Sequence, residues 1–201
     1  LIAAERVEAI PTDLDAYRFK RLAEFDLASA RRLELEFAGT ETQDGRPLRV
    51  VATLEPSGWS SPGRDLNPDR TTKLIRDLSN LGADSIFAEE MGVAELSSLG
   101  LVPPRGQLSV EGGADPSAPV LPLAQLRFGR LDPNRGLFVK RADRPTIFLV
   151  DPDGAATLPY SPSFYKTRCE TPAPPAKPDP DAQSMHHAEH DSPTAPPHRA
   201  A

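Results

Sequence analysis

A chain of 201 residues has room for one ordinary domain and some further length. Its net charge of −6 argues against a general nucleic-acid binder or a protein drawn to anionic membranes. A single cysteine, Cys169, excludes an internal disulfide and a thiolate metal site, and no apolar run approaches the ~20 residues of a membrane span.

The first twenty-five or so residues carry a short apolar stretch to Ile10 and a turn at Pro11, so a short helix followed by a turn is expected. Residues 31–37 alternate strictly. Leu33, Leu35 and Phe37 face one side and Arg32, Glu34 and Glu36 the other, the pattern of a half-buried strand. A polar turn around Asp44-Gly45 leads to a partner strand over 48–54, giving a hairpin. Ser57 to Pro62 is a tight passage holding Trp59, the only tryptophan. A lone tryptophan usually supplies buried area, so Trp59 is read as core; the sharper alternative is a stacking platform for a ligand.

Residues 67–83 carry every signal of one amphipathic helix. Asn67 can cap the first turn, Pro68 sits where its missing N–H costs nothing, and Asp69 opposes the positive helix end. Leu74, Leu78 and Leu81 share one face with Ile75 beside them, and Gly82 stands where a left-handed cap is wanted. About four turns are predicted, with one stripe to bury.

A short strand follows over 84–88, then a helical turn over 94–99 that ends at Gly100, with Pro103-Pro104 blocking continuation. Strand character returns at 107–111, 121–128, 136–141 and 146–150, with turns at 112–116, 129–134 and 142–145. Regular spacing predicts an antiparallel meander. The fold class is therefore α+β: a hairpin plus a meander packed against one principal helix. Residues 169–201 are dominated by Pro, Ala, Asp and His, and such a composition predicts a disordered tail. The folded domain is placed at 26–168.

One unbroken register relates the opening to the segment after the meander. Leu149-Val150 meets Leu1-Ile2, Asp153 meets Glu5, Leu158-Pro159 meets Ile10-Pro11, Tyr165 meets Tyr17, and Arg168 meets Lys20. This suggests the end of a repeat seen twice, with residues 1–25 closing a preceding copy or serving as a linker; chance similarity is the alternative. On the repeat reading the full protein extends further at its N-terminus, and any membrane anchor lies there.

Candidates for chemistry are few. All four histidines fall in the predicted tail, and His186 and His190 are spaced to share a metal ion only weakly, because zinc needs rigid ligands and outer-shell partners. Asp151-Pro-Asp-Gly154 opens like a calcium loop, but its sixth position lacks Gly and its twelfth is Pro162, so a turn is expected. Gly112-Gly113 precedes no helix and cannot cradle phosphate. Glu89-Glu90 reads as a solvated edge, and Cys169 has no histidine partner in the body. No catalytic residue and no cofactor are expected.

Ser57-Gly-Trp59, the stretch Leu78 to Phe87, Leu99-Gly-Leu-Val-Pro-Pro104, Leu126-Arg-Phe-Gly129 and Phe138-Val-Lys140 together resemble a bacterial family known as domain of unknown function 4340. The likeness covers roughly residues 10–165, and Asp13-Leu-Asp-Ala-Tyr-Arg18 is similar to the link between successive copies; Leu99 departs from the family's usual tyrosine. The resemblance implies an extracytoplasmic (periplasmic) domain anchored through an N-terminal transmembrane helix and associated with ABC-transporter components of the gliding-motility-auxiliary kind. It implies no catalytic residue. The expected function is a non-catalytic structural or protein-interaction module whose partners are other proteins and not nucleic acid. Its surfaces would be the free edges of the meander, where a strand can add, and the Pro-rich tail. The alternative is a small-ligand or polysaccharide-binding domain using Trp59, Leu99, Pro103 and Pro104.

Overall fold

The computed structural model describes residues 20–113 and 119–171. Eight strands and four α-helices form a mixed α/β body in these residues. The strands are β1 (Ala30–Phe37), β2 (Leu48–Glu55), β3 (Gly58–Ser60), β4 (Ser85–Ala88), β5 (Gly106–Gly112), β6 (Leu121–Asp132), β7 (Gly136–Arg141) and β8 (Ile147–Val150). The helices are α1 (Pro68–Leu78), α2 (Val93–Ser98), α3 (Pro152–Ala155) and α4 (Pro162–Cys169). One antiparallel sheet holds all eight strands in the order β3-β2-β1-β5-β6-β7-β8-β4.

The alternation in 31–37 fixes which side of β1 is buried. Leu33, Leu35 and Phe37 point into the main core beside Val50, Ala52, Leu108, Val110, Leu126 and Phe128 from neighbouring strands. α1 covers this face with Leu74, Ile75 and Leu78, each side chain contributing ~1.5–3 kcal/mol by leaving water. Asn67 Oδ1 accepts the Arg70 N–H at 3.0 Å, so the predicted cap is in place.

α1 is shorter than its periodicity suggests. It stops at Leu78, because Ser79 turns its hydroxyl back onto the Arg76 carbonyl. Leu81 is buried all the same, outside the helix, and its carbonyl accepts the amides of Leu22 and Ala23. Gly82 is not a left-handed cap; it bridges to Arg21. Residues 20–25 thus belong to the compact body, which begins before the predicted boundary at 26.

At the other end α4 runs through Cys169, and Cys169 is buried in the main core together with Tyr165 one turn earlier. The Asn67 amide donates to the Cys169 carbonyl at 2.8 Å and the Thr171 amide to the Asp65 carbonyl at 3.0 Å. The body therefore extends past 168 to Thr171. α4 packs along α1, so α1 does not cover the sheet alone. The Asp151 segment caps α3, with the carboxylate accepting the Gly154 amide at 2.6 Å. The segment matched to the chain's opening, residues 149–168, spans β8, α3 and α4, whereas its counterpart lies mostly outside the described residues.

Two further expectations change. The Ser57–Pro62 passage contributes a third strand, β3, beside the hairpin. The turn expected at 129–134 begins only after β6 has continued to Asp132. Gly129 permits this, because its missing side chain leaves room for the backbone at Leu99, which crosses over the strand.

That crossing creates a second, smaller core on the opposite face. Leu99, Leu101, Phe138 and Ile147 are buried there, with Ala88, Met91, Leu96 and Leu149 packed against them. Gly100, with φ of +70°, supplies the left-handed turn that ends α2. The segment from β4 to Pro104 thus covers β7 and β8 on this face. No described element covers the other half, over β2, β1, β5 and β6.

Candidate functional site

The open half-face carries the outward residues of the alternating strands. Glu34 on β1 stands opposite Ser109 on β5, which stands opposite Gln125 on β6. The next row runs Arg49, Glu36, Gln107, Arg127 and Lys140 across five strands, each opposite its neighbour. Residues opposite one another in an antiparallel pair lie ~4.5–5.5 Å apart, so side-chain chemistry is set by strand order.

One end of this surface is a connected set of ion pairs. Arg49 Nη2 lies 2.6 Å from Glu34 Oε1, Arg32 Nη2 is 2.9 Å from Glu34 Oε2, and Arg32 Nη1 is 3.0 Å from Glu111 Oε2. Glu34 is held between two guanidinium groups and is only 19% exposed. Glu36 and Arg127, by contrast, have neither hydrogen-bond nor ion-pair partners among the described residues. Between them lies a hollow of about 190 Å³ lined by Glu34, Glu36, Gln107, Ser109, Gln125 and Arg127. Ser109 Oγ is buried at its floor without a hydrogen-bond partner among the described residues.

Beyond Arg127 the surface turns basic. Lys140 donates to the Arg141 carbonyl at 3.2 Å and to the Arg144 carbonyl. Partial burial holds its pKa below the ordinary lysine value, and the neighbouring Arg127 charge pushes in the same direction. The face thus carries Arg32, Glu34 and Glu36 on β1, Gln107, Ser109 and Glu111 on β5, and the cations Arg127 and Lys140 on β6 and β7.

A second hollow, of about 250 Å³, lies between α1 and α4 and includes Arg70, Lys73, Asp77 and Arg168. Its cations are already engaged. Arg70 donates to the carbonyls of Thr167 and Glu170, Lys73 pairs with Asp77 at 2.7 Å, and Arg168 donates to the Ala156 carbonyl.

The residues singled out in the sequence do not converge. Trp59 is 5% exposed and belongs to the main core at the β3 edge of the sheet. Leu99 is buried in the second core on the other face, Pro103 is exposed and Pro104 half-buried. Among the described residues Trp59 and Leu99 belong to separate cores, so these residues do not assemble one ligand site there. His186 and His190 lie outside the described residues. Among the described residues no three His, Cys, Asp or Glu side chains are grouped to hold a metal ion. Glu89 and Glu90 are both exposed.

The meander has no free edges. β1 occupies the outer side of β5, and β4 occupies the outer side of β8. The sheet ends instead in β3, three residues long, and β4, four residues long with its register broken between Ile86 and Ala88. Short and bulged edges oppose the addition of another strand. Among the described residues no helix is long and apolar enough to cross a membrane.

Cys169 is sealed away. Burial and the adjacent Glu170 charge push its thiol up to about 12, and burial likewise raises the Tyr165 hydroxyl. Open-face residues such as Gln107, Ser109, Gln125 and Arg127 escaped the sequence reading, although alternation had put Glu34 and Glu36 on the outward side of their strand. Comparison with family models, curated proteins and solved structures finds no match for this chain.

Proposed function

We propose that the chain is a non-catalytic protein-interaction module of a membrane-anchored extracytoplasmic bacterial protein, accessory to an ABC-type transporter, and that it binds through the open sheet face. The observation that carries the interaction reading is Glu36 and Arg127, without hydrogen-bond or ion-pair partners among the described residues, on either side of a polar hollow on a half-face that no described element covers. Extracytoplasmic placement and the transporter association rest on the family resemblance. The scaffold is read as a hairpin joined to a meander, with α1 as its principal helix; the β1–β5 pairing supports that arrangement.

The test is fractionation of the full-length protein followed by capture from solubilised membranes, comparing wild type with Arg127→Glu. The proposal expects the protein in the membrane fraction on the extracytoplasmic side, with transporter components recovered by wild type and lost with the variant. Recovery in the cytosol, or a captured set unchanged by Arg127→Glu, overturns it.

A further inference from the structure

We draw no further inference here: the strongest candidate, the polar hollow between Glu36 and Arg127 on the half of the sheet face over β2, β1, β5 and β6, belongs to the surface already described, and nothing in the structure shows what covers it.

Discussion

The Leu99 carbonyl oxygen would lie 2.4 Å from a Cβ at Gly129, and it accepts the Arg130 amide at 2.7 Å. The turn after α2 therefore rests on the β6 backbone itself, and the second core depends on a residue without a side chain. Gly129→Ala forces Leu99 and Leu101 outward and breaks that hydrogen bond. The expected cost is about 2–4 kcal/mol in urea unfolding, with native Trp59 emission unchanged because Trp59 sits in the other core.

The main core makes a sharper contrast along the leucines. Leu78, the last residue of α1, is fully buried, whereas Leu131 is 38% exposed near the end of β6. Leu78→Ala is expected to cost about 2–5 kcal/mol, and Leu131→Ala less than ~0.5 kcal/mol. Equal losses in thermal or denaturant unfolding would contradict the assigned burial.

Much of this was legible in the chain, and the rest was not for identifiable reasons. Asn67, Pro68 and the Leu74–Leu78 stripe specify α1 locally, as strict alternation specifies β1, so both could be read directly. The end of α1 could not, because Ser79 and the capture of the Leu81 carbonyl by Leu22 and Ala23 compete with Gly82 for it. α4 was obscured because its buried residues, Tyr165 and Cys169, give no clear stripe over eight residues. The open face escaped for a deeper reason. Outward positions follow from alternation within each strand, but the pairing of β1 with β5 joins segments far apart in sequence. Only that pairing sets Glu36, Gln107 and Arg127 in one row.

Glu34 and Glu36 share a face and a strand but differ in company. Glu34 bridges two arginines at 2.6 and 2.9 Å, while Glu36 has no ion-pair partner among the described residues. Glu34→Ala is expected to lower stability by ~1 kcal/mol at low salt, an amount that shrinks as salt is added. Glu36→Ala in dilute solution should stay within about 0.5 kcal/mol of wild type. Matching losses would show that the ion-pair set carries no energy.

Cys169 gives a pH signature. Its pKa is raised on folding from an ordinary value of 9.0 to about 12, so the folded chain holds the proton that the unfolded chain releases. The contribution is fully present below about pH 9 and is lost progressively as pH rises toward 12, by up to ~1.4 kcal/mol per unit. Native Cys169 should also react with a thiol reagent only as the chain opens. Cys169→Ala is expected to flatten the alkaline decline measured by urea unfolding from pH 7 to 10.5, with Tyr165 adding a smaller slope only at the alkaline end. An unchanged slope would contradict a buried thiol.

The claim on which the functional account turns is that contact is made through the open half-face and not at the sheet edges. A photo-crosslinking residue placed at Gln107, in the full-length protein on intact membranes, should give discrete crosslinked products, whether to a second copy or to another protein. The same residue at Ser60, on the β3 edge, should give none. Products at Ser60 with none at Gln107 would contradict the account.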